Sequence, residues 1–488
     1  MEEQKFQLLD VKGTDTGVAF NKKMVIALVV AIAVMIVISM IPMNAYGEKC
    51  SLGLGFFVGM ILFISLSPSD PAIAGMLVVT VATLLGLVTW GEVGTALGTS
   101  AFYPTLGMAI VALGAEFTPF GRRFAYWFLY KFGQKPVRMV LAFGFAASLI
   151  SAFVSNVAVI ILMSAICNTT LLAMGEKPGQ SKFGKAFMLI ILMCAEFGGI
   201  ALINGAPGGN NLCLGLMTAA SGDLNLAVSY RDWAFRAFPT WLITIIPAIF
   251  IYIKYFGIKN NDENLKILPK SYYKEKLDEI GKLQGAEFRW IVITLIMIVC
   301  MLTGMNANLA AMLFAAISMF PLVGCSSFKN VMKRLPWGVI VALGTYPIFG
   351  TILSGTGVTA WIQAVVTPVL GNMGPLMLSI VLSVIMFVLV NVCINGFSGI
   401  LPFVITVGTT VSIGLGYNPC VVVFPAMLSA SMMWVFGSNV FVMLNKDYGW
   451  WEINDPILPG AISGLFLSIV CPILSYLFSS LLGMSVLL

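Results

Sequence analysis

The chain has 488 residues, of which 59% are apolar and 10% charged, with a net charge of +6 and no His; its mean hydropathy is +0.97. A soluble globular domain carries about a quarter charged residues, so these values describe an integral membrane protein, and continuous apolar runs such as 24–41 exclude the alternation of a β-barrel. The lack of His removes the commonest metal ligand, general base and proton relay, and the nine Cys, with no CxxC pair, point neither to a metal site nor to a disulfide framework.

In chain order, apolar segments lie at 24–41, 52–66, 72–90, 103–120, 139–172, 187–220, 238–253, 290–304, 307–323, 337–353, 377–415, 421–444 and 457–482. The first is long enough to stay as a span, and no small-residue cleavage site follows it. A crossing needs about 20 apolar residues. Between Arg138 and Glu176 lie 37 uncharged residues, too few for two crossings and a turn, yet the basic-residue count places both ends on the cytoplasmic side. This segment reads as a re-entrant hairpin with the polar tip Ser155-Asn156, and 377–415 reads as a second hairpin. With a cytoplasmic N-terminus and both hairpins returning to the side they left, only Lys49, Arg231 and Arg236 of the 27 Lys and Arg face outward, as the positive-inside rule requires. The expected fold is an all-α polytopic membrane protein with about 11 transmembrane helices, two re-entrant helical hairpins and two broken helices.

The long polar stretch 254–287 carries Lys266, Lys270, Lys274, Lys276 and Lys282 among acidic residues and aromatics. It reads as a cytoplasmic linker with a helix along the membrane surface. The halves it separates resemble each other. Val111-Ala112-Leu113-Gly114 recurs as Val341-Ala342-Leu343-Gly344, the tip Ser155-Asn156 as Asn395-Gly396, and the Gly/Pro/Asn break at 205–211 as the break at 436–439. With the first span set aside, each half makes five crossings; an odd number inserts the second half upside down, giving an inverted repeat with a site near the midplane. A span interrupted in this way offers N–H groups from one half-helix and carbonyls from the other, so an anion and a cation can be held side by side.

Three charge features bear on that site. Glu196 is the only charged residue between Lys185 and Asp223, and an ionisable group inside a span is a functional candidate by default; it reads either as a coupling group, proton acceptor or cation partner, or as a structural residue facing the bundle interior. Glu116, six residues before Arg122, reads as an interfacial residue paired with the basic end of its span. From Leu335 to Asn445 there are 111 residues without a charge. An anion bound there is expected to depend on helix dipoles, amides and bound cations, so that anion and cation binding are reciprocally linked.

At these residues the chain resembles the divalent anion/sodium symporter family of the wider ion-transporter superfamily. That family carries Ser-Asn-Thr at each hairpin tip, with another hydroxyl residue four positions earlier, and helix breaks of the Thr-Pro-Pro-Asn type. Here Ser151, Ser155 and Asn156 match the first tip, and Gly198-Gly199 leading to Asn204-Gly205-Ala206-Pro207 resembles the glycine-rich approach to the first break. Glu116 with Thr118, Gly121-Arg122-Arg123, and 344–357 are also similar. The resemblance implies a homodimeric secondary active transporter of small organic anions such as carboxylates, located in the cell membrane, with sodium as coupling ion and no other cofactor. It implies an elevator, in which transport-domain segments 135–253 and 371–488 move against scaffold segments 24–134 and 288–370, with a cytoplasmic tail at 1–23 and the linker at 254–287.

The resemblance also implies a sodium site at Ser151, Ser155, Asn156 and the backbone near Gly205. A second would lie at Val390, Ile394 and Asn395, where two of the three side chains lack oxygen. Substrate contacts fall at Asn156, Val157, Pro207 and Asn210 in the first half and at Asn395, Gly396, Ser438 and Asn439 in the second. Val157 and Gly396 stand where the family places carboxylate-binding Thr residues, so the amides and hydroxyls of Asn204, Asn210, Asn391, Ser398 and Asn439 are candidates to replace them. Anion exchange, cation/proton antiport and inorganic-oxyanion transport are the alternatives within the superfamily. An intramembrane enzyme is not expected, since His, a paired-Asp site and a G-x-S-x-G segment are lacking; nor is a nucleic-acid partner.

Overall fold

The computed structural model describes residues 22–67, 70–97, 102–224, 226–262, 265–283, 285–370, 372–393, 396–436 and 440–488. Among these the protein is helical throughout, with one isolated β-bridge between Tyr417 and Leu487. Seven helices among the described residues are long and apolar enough to cross a membrane: Lys22–Ser39, Asn156–Ala173, Tyr230–Tyr255, Trp337–Gly355, Pro375–Val392, Phe397–Gly414 and Ile457–Leu481. Shorter apolar helices, including Cys50–Leu66, Pro71–Leu84, Phe102–Glu116, Pro136–Ser151 and Ala307–Met319, pack between them. The first helix leaves Ile26, Val29 and Val37 exposed, a lipid-facing pattern in which apolar side chains need no protein cover.

Both halves use their elements in the same order, and the contacts between halves are reciprocal. Pro71–Leu84 packs on Trp337–Thr345, while Phe102–Glu116 packs on Ala307–Met319. Pro207–Ala220, after the first break, lies on Gly396–Gly414, the second arm of the second hairpin; Val440–Lys446, after the second break, lies on Asn156–Ala173, the second arm of the first. The closing helices Tyr230–Tyr255 and Ile457–Leu481 pack on each other. A two-fold relation between the halves generates this exchange of partners.

Several boundaries differ from those expected. The helix expected from 238 begins at Tyr230, because Ser229 and Asp232 form a capping box that satisfies the first free N–H groups. Arg236, expected in an outward loop, is therefore inside the helix and 0% exposed. Its Nε donates to the Asp232 carbonyl at 3.0 Å and its Nη1 to the Cys420 carbonyl at 2.6 Å, and the guanidinium lies 3.8 Å from the Phe424 ring centre, joining the halves. The segment 337–353 is interrupted after Thr345 and resumes at Ile348; Pro347 has no N–H to continue the ladder. A further helix, Val358–Leu370, follows where no span was expected. The segment 421–444 is three short helices, Pro419–Val422, Phe424–Ser429 and Val440–Lys446.

The linker contains the helix Lys270–Ile280, packed against Phe120–Phe132 with Tyr273 buried. Arg123 holds its C-terminal end: Nε and Nη2 donate to the two oxygens of Glu287, each at 2.9 Å, and Nη1 donates to the Gly281 carbonyl at 2.6 Å. The Glu287 side chain is only 3% exposed. Removing one partner of a buried pair strands the other charge, so Arg123→Ala is expected to lower stability by about 3 kcal/mol; a thermal melt within a degree of the parent would contradict this.

Candidate functional site

The first hairpin is built as its length required. Its arms, Pro136–Ser151 and Asn156–Ala173, meet through a four-residue link in which Ser155 adopts an extended N-cap conformation. Beside them runs Lys182–Gly198, buried from Ala186 to its end. Glycine is required where tip and break touch. A Cβ on Gly198 would overlap the Ser148 backbone, one on Gly199 the Asn156 side chain, and one on Gly205 the Ser151 carbonyl.

The polar groups of the tip are tied to this helix. Ser151 Oγ lies 2.8 Å from Asn156 Oδ1 and 2.6 Å from the Ala195 carbonyl, and its single proton can serve only one of these acceptors at a time. The Asn156 amide nitrogen donates to Glu196 Oε2 at 3.1 Å. Glu196 is 1% exposed. Its Oε1 is buried and has no hydrogen-bond partner among the described residues.

The chain is non-helical from Gly199 to Ala206, and Pro207–Ala220 then starts with Pro at its first position. Buried carbonyls in such a break need donors. Asn210 supplies them, its amide nitrogen donating to Gly199, Leu202 and Ile203 at 3.0 to 3.3 Å. Trp233 Nε1 donates to the Ile200 carbonyl at 2.9 Å and the Tyr230 hydroxyl to Asn204 Oδ1 at 2.6 Å. Asn391 does the same in the second half, donating to the Phe387 and Met432 carbonyls and accepting from the Val435 N–H. Asn210 and Asn391, considered from sequence as replacement substrate ligands, are thus engaged in holding the backbone, and Asn204, considered likewise, accepts from the Tyr230 hydroxyl.

Tip and break face a common cavity of about 370 Å³. Ser155, Asn156, Val157, Glu196, Gly205 and Pro207 line it from the first half, and Phe397, Ser431 and Met433 from the second. Ser151 lies behind Asn156, outside the wall. Of the second-half candidates, Asn395, Ser438 and Asn439 fall outside the described residues, as does Ile394; Gly396 opens the second-hairpin helix, and its neighbour Phe397 shares the cavity with Asn156. Phe397 also stacks closely over Gly209, where a Cβ would overlap its ring. The first turns of Asn156–Ala173 and Pro207–Ala220 both open on this space. Their N–H groups have no intrahelical acceptor, and the dipoles favour an anion.

Two charged residues stand at the cavity, one placed differently by sequence reasoning and one not considered. Glu116 does not pair with the basic end of its span; it stands in the cavity wall with Arg334, whose charge acts on it. Arg334 immediately precedes the long uncharged stretch, so an anion in the cavity does meet a protein cation. Thr105, Val339 and Pro336 complete the wall opposite the tip, and the Thr105 hydroxyl donates to the Pro207 carbonyl at 3.1 Å.

A two-fold repeated helical membrane chain with paired hairpins and a cavity at an interrupted helix is built as a secondary transporter. The chain belongs to the family of the sodium:sulfate symporter transmembrane region, the divalent anion/sodium symporters, whose model matches residues 22–484. Among curated relatives, it is 24% identical over 367 residues to the sodium-dependent dicarboxylate transporter SdcS of Staphylococcus saprophyticus, covering 70% of this chain and 69% of that one. The protein of the same name from Staphylococcus aureus is 22% identical over 387 residues, covering 74% and 72%. Among solved structures, the YdaH transporter of Alcanivorax borkumensis superposes with a TM-score of 0.54 at 13% identity, covering 78% of this chain and 86% of the other; this likeness concerns the fold.

Proposed function

We propose that the chain moves small organic anions, carboxylates, across the cell membrane with sodium, by an elevator form of alternating access. The observation that carries this reading is the cavity shared by both halves, where helix N-termini suited to an anion stand beside a group of oxygens suited to a cation. The SdcS relatives, named as sodium-dependent dicarboxylate transporters, agree with it. Sodium takes hard oxygen ligands. Ser151 Oγ, Asn156 Oδ1 and the Ala195 carbonyl converge with too few protons to satisfy one another, and Gly205 lies against the Ser151 backbone carbonyl; Ser151, Ser155, Asn156 and Gly205 are the residues assigned to the ion. When bound, it supplies positive charge next to the anion. The hairpins and broken helices, 135–253 and 371–488, form the moving domain of each protomer of a homodimer whose N-terminus is cytoplasmic.

Uptake into liposomes by purified protein, for a panel of mono- and dicarboxylates with and without an inward sodium gradient, tests the reading. Accumulation of a carboxylate only with sodium is the expected result, and accumulation independent of sodium would overturn the coupling. Arg334 at the cavity gives the anion a partner, so Arg334→Gln is expected to raise the KM for the transported carboxylate about tenfold, the worth of one charge-assisted hydrogen bond. An unchanged KM would remove Arg334 from the anion's path.

A further inference from the structure

We propose that Glu196 gives the cation site at the first hairpin tip a full negative charge, so that the coupling sodium neutralises a buried carboxylate. The proposal rests on the sodium-coupled reading above and adds to it a formal charge beside the site. A site built from hydroxyl, amide and carbonyl oxygens alone would hold sodium without one.

The argument starts from what Glu196 lacks. A carboxylate taken out of water needs hydrogen bonds and a counter-charge. Glu196 is 1% exposed and receives one hydrogen bond, from the Asn156 amide to Oε2. No Lys or Arg pairs with it among the described residues, and Oε1 is left without a donor at the wall of the cavity. Asn156 links it to the oxygens at the tip. There Ser151 Oγ stands 2.6 Å from the Ala195 carbonyl. A group of oxygens poor in protons, with an unpaired carboxylate one amide away, is a place for a cation.

The single hydrogen bond has a second effect. With its nitrogen held by Glu196 Oε2, the Asn156 amide turns Oδ1 to Ser151, 2.8 Å away. Glu196 thus also acts as a positioning residue, fixing the amide so that its oxygen faces the cation site. Gly199, where any side chain would overlap Asn156, lets the helix carrying Glu196 approach closely enough for this bond.

Sodium-dependent thermal stabilisation of the purified full-length protein, measured without substrate and with choline replacing sodium at constant ionic strength, tests the proposal. The parent is expected to be stabilised by sodium in a saturable way. Glu196→Gln, nearly isosteric, is expected to raise the half-saturating sodium concentration at least about tenfold, because one charge is lost at close range. Glu196→Asp, which keeps the charge on a shorter stem, is expected to bind more tightly than Glu196→Gln. A half-saturating concentration for Glu196→Gln equal to that of the parent would overturn the proposal while leaving sodium coupling intact. Absence of sodium stabilisation in the parent would instead overturn the sodium-coupled reading, and the charged site with it. If Glu196→Gln does not fold, Glu196→Ala, which also removes the charge, takes its place: a raised sodium midpoint supports the charged site, and an unchanged one refutes it.

Discussion

Asn156→Ala is expected to abolish sodium-driven uptake in a protein that still folds. Asn156 joins the first arm to the helix Lys182–Gly198, accepting on Oδ1 near Ser151 and donating to Glu196, and it also lines the cavity. Alanine removes the donor from a buried carboxylate, and a hydrogen bond to a charged group is worth about 1.5–3 kcal/mol, or roughly a ten- to hundredfold loss in affinity. The same change removes an oxygen from the cation site, so sodium and anion affinities should fall together. Folding should survive, because the link 152–155 is anchored by its own backbone bonds, Phe153 and Val154 donating to the Ile150 carbonyl. Initial uptake rates at saturating sodium, read beside size-exclusion profile and melting temperature, check the expectation. Full uptake with an unchanged sodium requirement would take the first tip out of the transport site.

Much of the first half of the site was legible because its signals are local. The first hairpin follows from counting residues between charges, its tip from polar residues at depth, and Glu196 from being the one charge in a long apolar segment. Arg236 was readable too: Ser229 and Asp232 have the spacing of a capping box, which places the helix start before the apolar run begins. Counting basic residues by loops missed this, since it assigns a residue by its distance along the chain from an apolar stretch. That Arg334 and Glu116 share one cavity wall was not legible, because they are brought together across the fold and neither sequence neighbourhood names the other. Amides misled in a different way. Asn210 and Asn391 sit where ligands were sought, but an interrupted helix leaves carbonyls that must be satisfied inside the protein, and both amides donate to such carbonyls; Asn204 accepts from the Tyr230 hydroxyl.

The reciprocity of the two halves makes the close contact between first arm and pre-break helix the place where the fold is most easily broken. Gly198 is expected to tolerate no side chain: a Cβ there would overlap the carbonyl oxygen, carbonyl carbon and Cα of Ser148, all backbone, so no rotamer can relieve it. To accommodate alanine the first arm must move away from Lys182–Gly198, stretching the Ser151 contact to the Ala195 carbonyl and the Trp241 Nε1 bond to Ser148 Oγ, now 2.7 Å. Overpacking a close contact costs about 1–3 kcal/mol. The loosened polar contacts add to that. Gly198→Ala should therefore melt well below the parent, with both uptake and sodium-dependent stabilisation impaired, while Gly94→Ala provides the control. Gly94 lies in the helix Trp90–Leu97 with nothing within 4 Å of an added Cβ, and alanine there should be neutral or better by about 0.5–1 kcal/mol. Equal melting temperatures for the two variants would mean that the arm is free to yield, and that the close approach at Gly198 does not set the geometry of the tip.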